Sequence, residues 1–282
     1  MGIDIAGWQK DLISKFKEGG ILISPFLSGD FLLAKLEGND HLLLNLLSID
    51  HQHAPENLLQ LQQESQAQQI QVIQLWEDIW LNRPKQVLSR INSLTGVNKK
   101  VHGRKTKIVS ITQPEADLFL LENHLQGSAK SRFRYALTID GEFVAVATFS
   151  GKRRMTRRSE SHISVELIRF ATADGITVQG GLSKLIRHLI KTVTPNDVMT
   201  YADLDWSYGK GYTKLGFELA EQMPANYIWL HKPTLIRYFP HRLAAIHPLA
   251  ASMEGEELAA YLLSLQYVRI FNTGNLKYIL NL

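Results

Sequence analysis

No cysteine occurs among the 282 residues, which removes disulfides, thiolate chemistry and thiolate-bound zinc from consideration. Nor does any apolar run approach the roughly 18 residues that a membrane-spanning helix needs. The opening stretch MGIDIAGWQKDLISKF is interrupted by charge too early for a secretory leader, so a cytoplasmic protein with no membrane partner is expected. Internal repeats are missing, and the Gln-rich segment at 60–69 reads as a solvated helical face. What is there is ordinary for a soluble globular chain, with 45% hydrophobic and 21% charged residues and length enough for two modest domains.

Acidic residues are absent from two short stretches. KKVHGRKTK at 99–107 and KRRMTRR at 152–158 each carry five Lys or Arg, while the whole chain has a net charge of only +4. The remainder is therefore net acidic and the basicity is concentrated. Clustered cations attract polyanions and gain from counterion release, and the second stretch adds the bidentate phosphate geometry of arginine. Lys99, Lys100, Arg104, Lys105, Lys152, Arg153, Arg154, Arg157 and Arg158 are accordingly the candidate DNA contacts. The alternative is two solvated loops.

Turn and cap signals predict a mixed α/β chain. Residues 4–18 read as a short amphipathic helix stopped by Gly19-Gly20, and ILISPFL, DFLLAKL and HLLLNLL as a strand meander. A helix opened by Pro55, the buried strand IQVIQLW and a helix between Pro84 and Gly96 complete a first αβ unit over 1–97. A basic linker is expected at 98–107. The second unit, 108–232, begins with strand KIVSIT, helix PEADLFLLENH and a hairpin turning at Asp140-Gly141. Strand HISVELIRFA, the Gly-rich helix entry VQGGLSK, strand VMTYAD, short helix GYTKLGF and a closing strand ANYIWLH follow. Residues 233–282 are expected as an extension packed on this unit.

This order of elements resembles the GNAT acyltransferase fold, and GYTKLGFE resembles its last-helix signature. The resemblance implies a cofactor diphosphate on the free amides of the helix entered through Gly180 and Gly181, with Ser183 and Lys184 beside it. VQGGLSK departs from the family's usual spacing, so the group donor stays unassigned, acetyl-CoA being one candidate. From about residue 70 to 280, the motifs LWEDIW, SRINSLTG, ENHLQG, VELIRF, VQGGLSKL, TYADLDWSYGKGYTKLGF, NYIWL and VRIFNTGNLKYIL succeed one another as in phage-borne proteins resembling Hef-like homing endonucleases. Those proteins join an endonuclease-like domain of the very-short-patch-repair type to a GNAT-like region. The resemblance puts Leu33, or a neighbour, where that nuclease has its Asp and Asn45 where it has its Glu, and neither offsets a divalent ion. It implies an inactive nuclease-like domain with no metal, although Asp30, Glu37, Asp50, His51 and His53 lie nearby. Near the tail, Asn272-Thr273 stands where the family carries Asp-Cys.

The second half is also similar to the Mom family of phage DNA-modification proteins, GNAT-like enzymes that act on adenine in DNA. Arg169 on a central strand, the strand end Tyr201-Ala202-Asp203, Tyr212 in the short helix and the upstream His124 carry that likeness. It implies Asp203, Tyr212, Arg169 and His124 as catalytic candidates, with Asp203 orienting or deprotonating an amine and Tyr212 as general acid. Trp206 and Tyr208 would stack on an extruded base. Alternation along a strand puts Arg169 on the face of Leu167 and away from Glu166 unless a bulge intervenes. Each residue has a plainer alternative: Ser183 as a helix cap, Tyr212 as a packing ring, His124 as a loop-fixing donor. Three functions stand open: a Mom-like DNA-modifying transferase, a non-catalytic DNA-binding remnant of a mobile element, and an acetyl-CoA-dependent N-acetyltransferase.

Overall fold

The computed structural model describes residues 5–156 and 159–282; Arg157 and Arg158 lie outside the described residues. In chain order the elements begin α1 (Gly7–Glu18), β1 (Ile23–Ser28), β2 (Phe31–Leu36), β3 (Asn39–Leu47), α2 (Pro55–Ala67), β4 (Gln71–Trp76), α3 (Glu77–Asn82) and α4 (Pro84–Thr95). Next come β5 (Lys99–His102), a 3-10 turn at Gly103–Lys105, β6 (Lys107–Ser110), α5 (Gln113–Asn123), β7 (Phe133–Ile139), β8 (Glu142–Phe149) and β9 (Arg153–Arg154). Then follow β10 (Ile163–Thr172), β11 (Ile176–Gln179), α6 (Gly181–Val193), β12 (Asp197–Asp203), α7 (Lys210–Thr213) and β13 (Glu218–Met223). The chain ends with β14 (Tyr227–His231), β15 (Ile236–Tyr238), α8 (Pro240–Ile246), α9 (Gly255–Ser264), β16 (Tyr267–Phe271) and β17 (Asn275–Asn281).

The protein is mixed α/β, and its contacts group into two units that are each discontinuous in sequence. The first takes 1–82, 203–207 and 223–275; the second takes 83–202, 208–222 and 276–282. These differ from the expected boundaries at 97, 107 and 232. α4 belongs with the second unit, where Arg83 Nη1 and Gln86 Nε2 both donate to the Leu121 carbonyl, at 3.2 and 2.9 Å. The segment 98–107 is folded, because β5 pairs in parallel with β11 from Ile176↔Lys99 to Gln179↔His102. Most of 233–282 falls in the first unit.

In the first unit β1, β2 and β3 form the expected antiparallel meander, and α2 is the crossover that lets β4 lie parallel to β3. Tyr227–His231 does not close the second unit. As β14 it pairs with β15 and β16, and Ile228, Leu230, Ile270 and Phe271 join Leu47, Leu58 and Trp76 in one apolar cluster. The burial of Ile228 and Leu230 with Leu47 is what draws this strand into the first unit.

The second unit is built on an eight-stranded sheet of order β13-β17-β12-β10-β8-β7-β6, with β9 added to β10. The β7–β8 hairpin turns at Asp140 and Gly141, whose φ values of 51 and 92° suit Asp-Gly in a mirror-image turn. Successive side chains of β7 point to opposite faces. Ala136 joins Ala116, Leu120, Val146 and Ala171 under α5. Tyr135 meets α6, its hydroxyl 3.1 Å from Thr192 Oγ1.

One irregularity organises the centre of this sheet. Against β8, Leu167 lies opposite Phe149 and Arg169 opposite Thr148, so Ile168 is an inserted residue. The parallel register of β10 with β12 runs from Ser164↔Asp197 to Leu167↔Thr200, ending where the bulge begins. The insertion also reverses the alternation. Arg169 and Ala171 share the α5 face, opposite Leu167, which corrects the expectation drawn from an unbroken strand. Leu120 is fully buried in the α5 cluster. Leu120→Ala should lower the stability of the second unit by about 2–5 kcal/mol in urea unfolding; a loss well under about 1 kcal/mol would mean that α5 is not packed as described.

Candidate functional site

The amino end of α6 combines flexibility with close backing. Gly180 is the N-cap, at φ 71°, with no side-chain hydrogen bond to the first-turn amides and open space where a Cβ would stand. A Cβ at Gly181 would come within 2.8 Å of Val178 Cγ1 and 3.1 Å of Leu137 Cδ1, so only glycine fits there. Ser183 does not cap the helix; the first turn carries neither a cap nor an acid. Lys184, expected at a cofactor phosphate, instead spends its donors on Gly103 O at 3.0 Å, on Thr106 O and on Thr106 Oγ1 at 3.3 Å. These bonds pin the 3-10 turn against the helix start, where a Cβ on Gly103 would lie 3.1 Å from the Gln179 carbonyl. Arg104 and Lys105 project, exposed, from that turn.

A second polar group lies on the α5 face. His124 caps α5, and its Nδ1 accepts the Gln126 N–H at 3.1 Å, which leaves the hydrogen on Nε2. Burial, then the guanidiniums of Arg169, Arg90 and Arg83, push its pKa down to about 3, so the ring is neutral at physiological pH. Arg169 Nη1 donates to the Ile168 carbonyl at 2.8 Å. Burial lowers the pKa of Arg90, opposed by the Tyr212 phenol. Tyr212, in α7, packs with ring centroids 5.7 Å from both Phe217 and Tyr278. His124, Arg169 and Tyr212 are thus three of the four expected catalytic residues within the second unit. Arg83 and Arg90 were not anticipated; the signal was the seven-residue spacing between the N-cap of α4 and Arg90 within it, astride the buried Val87.

Asp203 groups with the first unit, in the segment 203–207. Its Oδ1 accepts the Asp205 N–H at 3.1 Å, an Asx turn. Asp205 is buried and takes bonds from Thr273 N at 2.8 Å, Thr273 Oγ1 at 2.7 Å and Trp76 Nε1 at 3.2 Å. Arg237 lies near both acids and makes a two-pronged bond to buried Asp78, at 2.6 and 2.8 Å. Trp206, expected to stack on a base, is only 8% exposed, and its carbonyl accepts from Gln71 Nε2 at 3.0 Å. Much of the polarity of this corner is therefore consumed internally.

Leu33, Asn45, His51 and His53 are also built in, whereas Asp30, Glu37 and Asp50 are exposed. Leu33 and Asn45 are cross-strand partners, and the buried Asn45 amide donates to Gln74 Oε1 at 2.7 Å. His51 packs 4.8 Å from the Trp76 ring, and burial lowers its pKa to about 4. His53 stacks on Phe31 at 4.6 Å. Among the described residues no cluster of three or more His, Asp or Glu is arranged to hold a metal.

Of the basic stretches, Lys99 and Lys100 are exposed on β5, and Lys152, Arg153 and Arg154 are exposed around β9. Arg153 Nη1 meets Glu166 Oε2 at 3.2 Å. Lys152 and Arg153 border a groove of about 330 Å³ together with Lys130, Ser131, Arg132, Ser150, Gly151 and Ile168. Lys130 and Arg132 went unremarked in the sequence because they flank the start of β7 singly.

No protein-family model and no curated protein matches the chain. Among solved structures, a Bacillus subtilis acetyltransferase in complex with CoA is 15% identical with a TM-score of 0.35, over 63% of this chain and 99% of that one. The ribosomal-protein-S18-alanine N-acetyltransferase from Escherichia coli is 12% identical with a TM-score of 0.36, over 62% and 93%. A GNAT family acetyltransferase from Elizabethkingia anophelis with acetyl-CoA bound gives 12% and 0.36, over 63% and 99%. Likenesses this weak leave the function to be read from the chain's own geometry. No helix among the described residues is long and apolar enough to cross a membrane.

Burial and neighbouring Asp203 raise the Asp205 carboxyl to about 7, against the opposing pull of Thr273 and Arg237. A carboxyl raised on folding stabilises most below its unfolded value of 3.8, and that contribution is lost as pH rises through about 7. Asp205→Asn should therefore flatten the fall in urea midpoint of the first unit between acid and neutral pH. An unchanged slope in the variant would contradict the assignment.

Proposed function

We propose that the second unit is a GNAT-type group transferase that takes an acyl group from a CoA thioester and passes it to an amine. The observation that carries this reading is the end of β10–β12 pairing at the Ile168 bulge, in a unit that also offers an uncapped, glycine-entered helix. The residues present fit such a donor. The α6 amides have no competing side chain, open space lies over Gly180, and Arg104 and Lys105 add positive charge beside the turn. When bound, CoA would supply an acyl group activated as a thioester. Past Ile168, β10 has no parallel register with β12, so its backbone groups can pair with an extended ligand. Tyr212 holds a phenolic proton for a leaving group, and the neutral His124 ring offers an Nε2–H.

The groove of Lys130, Arg132, Lys152 and Arg153 favours a second reading, in which the acceptor is DNA and the protein is a Mom-like base-modifying transferase. The first unit would then be an inactive nuclease-like scaffold, with Leu33 or a neighbour and Asn45 where carboxylates would be needed.

Acetyl-CoA should raise the melting temperature of the protein, and Ser183→Glu should remove that rise. A glutamate in the first turn suits the helix itself and repels an anion. No rise at millimolar acetyl-CoA would sink the acyl-transfer reading. For the DNA reading, Arg132→Glu with Lys152→Glu should weaken duplex binding and reduce the salt dependence by about one to two counterions. Nucleosides from expressing cells should carry an adenine derivative that Tyr212→Phe abolishes. Normal nucleosides with intact duplex binding would leave a non-catalytic DNA-binding protein.

A further inference from the structure

We propose that the groove bordered by Lys130, Arg132 and Lys152 is the acceptor subsite of the second unit, and that it takes a small amine carrying its own phosphate or carboxylate. The proposal rests on the acyl-transfer reading and gives it an acceptor class.

Two held segments make the walls. Gln113, at the start of α5, pins the turn before β7. Its Oε1 accepts the Ser131 N–H and hydroxyl, each at 3.1 Å, and its Nε2 donates to the Ala129 carbonyl at 3.2 Å. Arg132 then joins the sheet, its N–H on the Phe149 carbonyl at 2.8 Å. At the end of the neighbouring strand, Ser150 binds β10 twice. Its N–H donates to the Glu166 carbonyl and its Oγ accepts the Glu166 N–H, both at 2.9 Å. β9 continues along β10, with Arg153 opposite Ser164. Walls fixed in this way lower the ordering cost of binding. Ile168, the inserted residue, lines the same groove. The groove therefore reaches the place where β10 leaves its parallel pairing with β12.

Charge selects the ligand. Arg153 is paired with Glu166 at 3.2 Å. Lys130, Arg132 and Lys152 are exposed, and their side chains make no hydrogen bond or ion pair with any described residue. Their ammonium and guanidinium groups suit the oxygens of phosphate or carboxylate. Glu166 adds an acid on β10, two residues before Ile168. A basic rim with an acidic flank matches a molecule that has an anion at one end and an ammonium at the other. The volume of about 330 Å³ lies at the low end of small-ligand sites, which favours such a molecule over a duplex. Transfer exchanges a C–S bond for a C–N bond, and the proton lost by the amine goes to the departing sulfur.

The test uses O-phosphoethanolamine, aspartate and ethanolamine as probes. In calorimetric titration the first two should bind and ethanolamine should not, and the tighter of the two tells phosphate from carboxylate. Arg132→Gln with Lys152→Gln should weaken that binding at least about tenfold, as the loss of a charged hydrogen bond does. Arg132→Lys should keep part of it; should the double variant not fold, Lys130→Gln carries the same expectation. With acetyl-CoA, mass spectrometry should show the anionic probe acetylated with a kcat/KM at least about tenfold above that of ethanolamine. Failure to bind either anionic probe, binding unchanged in the double variant, or equal binding of ethanolamine overturns the proposal. So does a DNA duplex that binds through Arg132 and Lys152 while neither small probe does. The thermal rise with acetyl-CoA, which the double variant should retain, reports the donor alone. Its absence from the unaltered protein removes the acyl-transfer reading and the acceptor role with it. Its presence with no anionic probe bound, or with one bound and never acetylated, removes the acceptor class only.

Discussion

A single inserted residue, Ile168, sets the geometry of the second unit. Without it β10 would keep strict alternation and Arg169 would lie with Leu167. With it, the parallel pairing to β12 stops at Leu167↔Thr200 and Arg169 turns to the face covered by α5. The end of the parallel pairing and the redirected guanidinium coincide at this residue. Bulges are placed where a sheet must re-aim a side chain or end a pairing, and here both happen at one step of the chain.

The corner at 203–207 shows why density of polar residues is a poor guide by itself. Asp205 is committed to Thr273 and Trp76, and Arg237 is committed to Asp78 while its guanidinium carbon lies 5.6 Å over the Trp76 ring. Such networks stabilise when every member is satisfied. The Asn-Thr pair at 272–273 is part of it: Asn272 Oδ1 accepts from Asn226 N at 2.9 Å and Thr273 binds Asp205 twice.

Local signals in the sequence were legible. Pro55 and Pro84 open helices, Gly96 ends one in the left-handed conformation, Asp140-Gly141 turns a hairpin and the apolar stripe of α6 faces a sheet. What depends on pairing between distant segments was not. Nothing within TYADLDWSYGKGYTKLGF announces that 203–207 and 208–222 group with different units, or that the strand at 227–231 leaves the large sheet for β15 and β16. The bulge itself has no local mark, since Ile168 is as good a strand residue as its neighbours. Arg169 and His124 were singled out through resemblance, whereas the influence of Arg83 and Arg90 on His124 depends on which way α4 docks.

The central claim is that the bulge opens a ligand site between β10 and β12, served by the α6 amides. A crystal structure grown with CoA tests it most directly. The account predicts density along β10 beyond Ile168 with the diphosphate at the amides of Gly181 and Leu182; CoA bound elsewhere, or none at saturating concentration, would contradict it.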